Sequence, residues 1–525
     1  MNTIYVPGDG ASNIKLSVYD FNSLETLFEE SISTPSGEVE GYKCNHIKDE
    51  TNWFDKTIKE LPESFKNSVA ISPVARGSSG AMIGENNIIL DTADGNNTIA
   101  YTHLYPDEVE KEFMLAAGSL DKYFKECGSV ASFPGSNNLI KRLFFEKIVR
   151  PEIYEKTVAF ATFPMLISGH FLGDDFLKAI KTAGNEHSYW MSHTGARNIN
   201  SQPGMPSSMI DKIDRFWDLV PKKIFYPYKP IDNISKIIAK KLGLPEKTKI
   251  LPGGHDTCFS HIPIISTFYK SQPEYNGMPI LQLEAGTWTM GAELGGDSKI
   301  LPKDGYKHGI VVQGTVDGEP TVTSMYGGGF DYRAVKDLAE AKGLNFNAPY
   351  DEKLFHKVLK NNLAFVLPNI HPNNYGTGPF PQVNGRIINE NFFYSSGETA
   401  NIITNLCITA TASYHIELIA SNPESPIIIT AGGSKGIFFG KLLATYTGRS
   451  VYSGINKYGI ALTETTSLGA AIIGKAACLN IHPYDVNISS LGIIYNKITS
   501  FTGQTKELIL NYKNLFMKEI EKAKN

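Results

Sequence analysis

Gly253-Gly254-His255-Asp256-Thr257 and, further on, Glu284-Ala285-Gly286-Thr287-Trp288 are the two stretches that decide how this chain is read. The first places one carboxylate on a Gly-rich turn after the apolar run Ile250-Leu251-Pro252. The second ends another apolar run, Met278 to Leu283, in a tight Gly-Thr turn. Phosphoryl transfer needs such parts: a group that orients an attacking hydroxyl, and backbone N–H groups that hold phosphate oxygens. Asp256 is the candidate for accepting the hydroxyl proton. Its plainer alternative is a turn or helix-capping aspartate.

Other turns extend the pattern. Ile4-Tyr5-Val6, the turn Pro7 to Ser12 and the alternating run Ile14 to Tyr19 read as a β-hairpin. Gly10 would let phosphate approach the backbone, and Ser12, Asn13 and Lys15 would add donors and charge. An ordinary hairpin turn is the alternative, and Gly286 and Thr287 carry the same two readings. Ala431-Gly432-Gly433-Ser434 lies between an apolar strand, Pro426 to Thr430, and a helix, Ile437 to Thr447. That is a place where a nucleotide meets backbone closely, or simply a tight connection. Neither Gly-x-Gly-x-x-Gly nor the Walker pattern is present.

Trp190 and His193, in Ser188-Tyr189-Trp190 and His193-Thr194-Gly195, would suit a polyol by stacking and hydrogen bonding; partly buried structure is the alternative. Arg76, in the loop Arg76 to Gly80, is a substrate contact or a surface charge. No His/Cys/Asp/Glu set has metal-site spacing, and no serine nucleophile motif accompanies His255.

A chain of 525 residues exceeds one ordinary core. Hydrophobic content of 42% and charged content of 20% are those of a globular protein. A net charge of −4 and the absence of basic blocks leave no nucleic-acid footprint. The five cysteines, Cys44, Cys127, Cys258, Cys407 and Cys478, form no Cys-x-x-Cys pair. A disulfide framework is therefore not expected, and a cytoplasmic, reducing compartment is. No leader pattern opens the sequence, and no apolar run approaches the ~18 residues of a membrane span, so no membrane partner is expected.

Val69 to Ser72 and Ile88 to Leu90 read as short strands. Leu139 to Ile180 reads as helical, punctuated by Pro151 and Pro164, and Ile210–Leu219 and Ile231–Leu242 as further helices. Pro279–Leu283, Thr289–Leu294 and Ile310–Gly314 then repeat the opening strand–turn–strand theme. Helices follow near Tyr332–Lys342, Glu352–Lys360, Thr399–Ile419 and Ser467–Ala477. The recurring hairpin implies two related α/β domains facing a cleft. Their boundary is placed by the weakly periodic stretch Ser260 to Asn276, which divides the chain into 1–265 and 266–525.

Taken in order, these motifs resemble the FGGY family of carbohydrate kinases, nearest in form to its fuculokinase and rhamnulokinase branch. Further segments carry the likeness: Lys141 to Glu152, Phe365-Val366-Leu367-Pro368, Pro379-Phe380-Pro381 with Gly385-Arg386, and Glu464 with Leu468-Gly469-Ala470-Ala471. The resemblance implies two RNase H-like domains of the actin/hexokinase/Hsp70 ATPase type. It implies ATP and Mg²⁺ as cofactors and a sugar or polyol as substrate, and is compatible with a homodimer. The 1–265 domain would bind the sugar with Asp256 as catalytic base. The 266–525 domain would bind nucleotide through Gly286, Thr287, Gly432, Gly433 and Ser434. Two positions depart from the family pattern. Its first strand ends Asp-x-Gly, where the Asp helps hold Mg²⁺; here Gly8 stands there and Asp9, the metal candidate, is shifted by one. Gly436 stands where the family often has Asn. An active kinase is the leading expectation. A kinase-like sugar- or nucleotide-binding protein with little turnover is the alternative, and an actin-like or chaperone ATPase ranks last.

Overall fold

A computed structural model describes residues 1–183, 185–186, 195–200, 205–220, 224–296, 301–347, 349, 351–361, 364–371 and 378–524. The chain divides into two compact units. The first comprises Met1–Lys270, Val312–Pro320 and Glu464–Gly492; the second comprises Ser271–Val311, Thr321–Thr463 and Ile493–Asn525.

The opening hairpin forms as its alternation requires. Strand β1 (Thr3–Asp9) pairs antiparallel with β2 (Asn13–Asp20), in unbroken register from Thr3↔Asp20 to Asp9↔Ile14. β2 pairs in turn with β3 (Thr26–Ser33). Helix α1 (Ile47–Glu60) buries Ile47, Phe54 and Ile58 in the core that also holds Tyr5, Ile14, Leu16 and Val18. On its other edge β1 takes parallel partners, β4 (Ser68–Ile71) and β5 (Val74–Ala75). β6 (Lys249–Ile250) extends the sheet from β4, and β7 (Gly254–His255) from β5. Helix α2 (Asp256–Ser271) follows directly.

The first unit's opening stretch ends at Lys270, and two later segments, Val312–Pro320 and Glu464–Gly492, also belong to it. Helix Thr465–Leu479 is buried along most of its length, including Leu468, Ala470, Ala471, Ile472 and Ile473. It covers β1: a Cβ built on Gly474 would lie 2.7 Å from Ile4 Cγ2. Lys475 Nζ donates to the Asn22 carbonyl at 2.6 Å, and Lys249 Nζ to the Ala477 carbonyl at 3.2 Å. Burying that apolar surface draws Glu464–Gly492 back to the first unit.

Several local expectations need correction. Ile231–Leu242 opens with a strand, Asp232–Asn233, before its helix, Lys236–Leu242, and Ile210–Leu219 is helical only in two short pieces, Ser208–Lys212 and Phe216–Leu219. Leu139–Ile180 is interrupted by a strand, Ala159–Thr162, paired antiparallel with Gly80–Ile83. All four of its residues are buried, and a short fully buried strand has no alternation to distinguish it from helix. Ile88–Leu90 forms only an isolated bridge at Ile89. Ser260–Asn276 is helical over most of its length, because α2 runs through Pro263 to Ser271. Pro263 has no N–H to offer the Phe259 carbonyl, and Gly469 of the neighbouring helix sits against that carbonyl instead.

In the second unit the hairpin motif recurs. β8 (Ile280–Ala285) and β9 (Thr289–Leu294) pair antiparallel from Ile280↔Leu294 to Ala285↔Thr289. The sheet's strands run in the order Pro320–Tyr326, β9, β8, Ile427–Thr430, Val451–Ile455, Ile494–Ile498. Helix Gly397–Glu417 is capped by Ser396, whose Oγ accepts the Thr399 N–H at 3.1 Å. Among the described residues no helix is long and apolar enough to cross a membrane.

Any side chain at 469 would collide with the Phe259 carbonyl. Gly469→Ala is expected to cost about 1–3 kcal/mol of stability, the usual scale of overpacking, read as a lower urea midpoint.

Candidate active site

Parallel pairing sets the site in the first unit. Asp9 of β1 and His255 of β7 both lie in register with Ala75 of β5. The chain therefore leaves the sheet at Gly10, Arg76 and Asp256 along one edge, at the strands' carboxyl ends, where α/β sheets bind ligands. Gly253 makes this approach possible. Its φ is +72°, and a Cβ there would lie 2.8 Å from both Pro164 Cβ and the Pro73 carbonyl.

Asp256 is the first residue of α2, and its Oδ1 accepts the Thr257 N–H at 2.7 Å. The turn-aspartate reading is thus correct as far as it goes. The carboxylate keeps 34% of its side chain exposed, so it is also open to a ligand. Surrounding protein pushes its carboxyl up to about 6, against the hydrogen bonds from Thr257 and the charge of Arg76, which lower it. His255 Nε2 lies 3.2 Å from Asp256 Oδ1. Burial, with His261 adding to it, drives the His255 imidazole down to about 3, so it is neutral at pH 7.

The Gly10–Ser12 turn is closely tied. Gly10 N–H donates to the Asn13 carbonyl at 3.0 Å, so Gly10 contributes shape rather than a free donor. The Gly10 carbonyl accepts from Thr34 Oγ1 at 2.9 Å and from Arg76 Nη1 at 2.7 Å. Thr34 N–H also donates to the Ser12 carbonyl at 3.0 Å. Asn13 is exposed at the start of β2. Lys15 Nζ is 2.6 Å from Glu464 and 3.2 Å from Glu29, so carboxylates already surround its charge.

Asp9 and Arg76 are not where substrate or solvent could reach them. Asp9 has a fully buried side chain (0% exposed) whose Oδ1 is 3.2 Å from Arg76 Nη1. Arg76 is 5% exposed, neither a surface charge nor an open substrate contact. Its Nη2 lies 3.7 Å from Glu50, also 0% exposed, and its guanidinium sits 4.9 Å from the Phe163 ring centroid. Burial lifts the Asp9 carboxyl to about 6, with Arg76 opposing, and lifts Glu50 well above the carboxylate range. No bulge rescues the one-residue shift: β1 and β2 stay in register through Asp9. The structure thus turns the metal candidate inward, because successive strand residues face opposite sides. Among the described residues, no group of three or more His, Cys, Asp or Glu could hold a metal by itself.

The second unit brings its own two turns together. Glu284 of β8 is in parallel register with Thr430, so Gly286-Thr287 and Ala431–Lys435 emerge side by side. A Cβ on Gly433 would lie 2.5 Å from Ala285 Cβ, and one on Gly432 3.4 Å from the Ala285 carbonyl. Ser434 Oγ donates to the Ala431 carbonyl at 2.7 Å. Gly329 N–H donates to the Thr287 carbonyl at 3.1 Å, at the start of helix Gly328–Ala341, where any side chain would strike the 286–287 backbone. A cavity of about 170 Å³ is lined by Tyr332, Asn401, Asn405, Gly436, Phe438 and Phe439, among others.

Trp190 and His193 lie outside the described residues. Glu50, Gly328 and Gly329 were not singled out from sequence. The run Gly327-Gly328-Gly329 was a usable signal; Glu50, in an unremarkable amphipathic helix, had none.

No protein-family model matches the sequence, and no curated protein does. Solved structures do match over the full length. A carbohydrate kinase from Novosphingobium aromaticivorans shares 18% identity, with a TM-score of 0.73 and 100% of each chain covered. A ligand-bound xylulose kinase from Lactobacillus acidophilus shares 17%, with a TM-score of 0.74 and 99% and 98% covered. Plasmodium falciparum glycerol kinase with ADP shares 13%, with a TM-score of 0.72 and 100% and 98% covered. The chain therefore has the two-domain, actin-like α/β fold of these sugar kinases, the class expected from its sequence.

The raised Asp256 carboxyl also bears on stability. A folded-state value above the unfolded ~3.9 means the native state binds more protons across that window, so its contribution falls as pH rises from about 4 to about 6. Asp256→Asn removes the titration. Thermal unfolding should find it more stable than wild type at pH 7, with the difference shrinking toward pH 4.

Proposed function

We propose that this protein is an ATP-dependent carbohydrate kinase that transfers the γ-phosphoryl group of ATP to a hydroxyl of a ketose or polyol. The observation that carries the reading is the half-open Asp256 carboxylate, held at a sheet edge whose neighbouring residue, Gly10, belongs to a tightly fixed turn. The names of the structural neighbours, carbohydrate, xylulose and glycerol kinases, support the same class.

Asp256 accepts the proton of the acceptor hydroxyl as that oxygen attacks phosphorus. Its elevated pKa brings it nearer the operating pH, as general-base catalysis favours. Helix α2 adds the positive end of its dipole at the same point. Ser12, Asn13 and Lys15 face the transferred group from the first turn, with Lys15 exchanging Glu464 for phosphate. In the second unit, Gly286 and Thr287 hold phosphate oxygens, and Gly432, Gly433 and Ser434 border the ribose. The base takes the 170 Å³ cavity, where Asn401 and Asn405 amides and aromatic rings suit a purine.

The donor set fits Mg²⁺ only as an ion carried on nucleotide phosphates, with Asp256 as the open carboxylate, since Asp9 is buried. When bound, Mg²⁺ would neutralise charge on the transferring phosphoryl group. Trp190 and His193 remain sugar contacts by motif alone, and the Gly-His-Asp-Thr form favours a fuculokinase- or rhamnulokinase-like acceptor. None of the five cysteines is in a disulfide, which suits a reducing cytoplasm. A second reading, a sugar- or nucleotide-binding protein with little turnover, draws on one observation: Gly8 offers no carboxylate and Asp9 cannot replace it.

A screen of ketoses and polyols for Mg²⁺-dependent ADP release tests the reading. Asp256→Asn should keep nucleotide binding and lose roughly 10²–10⁴-fold in sugar phosphorylation. With wild type, kcat/KM should rise with pH and level off above about 6. A mutant that retains most turnover removes Asp256 from the mechanism.

Space exists to restore the missing acid. A Cβ at Gly8 would lie 3.5 Å from Val74 Cγ1, an ordinary contact. Gly8→Asp should fold and lower the Mg²⁺ concentration needed for half-maximal turnover. Activity that appears only in Gly8→Asp would favour the binding-protein reading.

A further inference from the structure

We propose that Asp9, Arg76 and Glu50 form a buried latch that fixes the Gly10–Ser12 turn, making Arg76 and Glu50 positioning residues for nucleotide phosphate. The inference rests on the reading of that turn as a phosphate site. Three separate elements meet at one guanidinium: the end of β1 through Asp9, the loop after β5 through Arg76 itself, and α1 through Glu50. Arg76 is also bound through its backbone, its N–H donating to the Asp9 carbonyl at 2.8 Å. Its Nη1 then reaches past Asp9 to the Gly10 carbonyl. Thr34 holds that carbonyl from a second direction, so the turn is clamped by side chains on both flanks.

Stability alone does not explain such a cluster. Burying an ion pair costs desolvation that apolar residues of the same volume would avoid, so its better-attested use is to specify one geometry. Asp9 and Glu50 meet the guanidinium as close charges, at 3.2 and 3.7 Å, with their carboxyl oxygens buried. Charges outside the cluster reach it as well, Asp256 acting on Asp9 and Asp49 on Glu50. Arginine suits the role because its planar fork addresses several acceptors at fixed angles while its face lies against Phe163; lysine offers a single point charge. Burial, with the neighbouring Asp9 charge adding to it and Arg76 opposing, raises the Glu50 carboxyl well above the carboxylate range.

The test is calorimetric titration of the full-length protein with Mg²⁺ and AMPPNP, a non-hydrolysable ATP analogue, alongside steady-state kinetics. Arg76→Lys and Glu50→Ala should each weaken AMPPNP by about tenfold or more, the scale of a misplaced binding group. KM for ATP should rise with them while KM for the sugar stays within about twofold, whereas simple loss of folded protein would lower kcat and leave both KM values alone. Glu50→Gln, which keeps the size and shape of the side chain, should recover most of the loss seen in Glu50→Ala. If the single variants do not fold, Asp9→Asn/Glu50→Gln/Arg76→Met removes all three charges together and carries the same expectation. A folded Arg76→Lys, Glu50→Ala or triple variant that binds AMPPNP like wild type overturns the latch and leaves the kinase reading standing. Wild type that binds no nucleotide overturns both.

Discussion

The constraint on which the first unit depends is the parallel pairing of three short strands. β1, β5 and β7 share a register row, and the residues that leave that row belong to segments far apart in sequence. A two-residue strand such as Val74–Ala75 has little stability of its own. It exists because β1 and β7 pair with it on either side. Arg76 and Asp256 owe their positions to that pairing, as do the backbone geometry of Gly10 and the inward turn of Asp9.

Close approach of backbone to backbone is the second constraint, and glycine satisfies it in each unit. Gly253 turns the chain toward Asp256 against Pro73 and Pro164, and Gly469 admits a neighbouring helix to the Phe259 carbonyl. In the second unit, Gly329 and Gly433 perform the same service for the 286–287 turn and the loop beside it. Interiors packed to crystal-like density leave no slack at such points.

Electrostatics then separate three neighbouring carboxyls by environment. Asp256 is raised but open, Asp9 is raised and paired with Arg76, and Glu50 is raised with its side chain fully buried. One guanidinium serves all three, directly for Asp9 and Glu50 and through its field for Asp256. The one-residue displacement from Gly8 to Asp9 therefore converts an acid that could face a ligand into part of the unit's interior.

Sequence alone determined the local parts. Alternation gave the two hairpins, the Gly-rich turns marked where backbone would be approached closely, and the order of motifs indicated a two-domain kinase fold. These are short-range consequences of side-chain period and backbone freedom, so they are legible from neighbours in the chain. Tertiary structure decided the rest. It returned Glu464–Gly492 to the first unit, ran α2 through Pro263, made a strand of Ala159–Thr162 and buried Arg76 between Asp9 and Glu50. None of these follows from local pattern, because each depends on which distant surface a segment buries itself against. Glu50 and Arg76 stand far apart in the sequence, and only the packing of α1 against the sheet makes them partners.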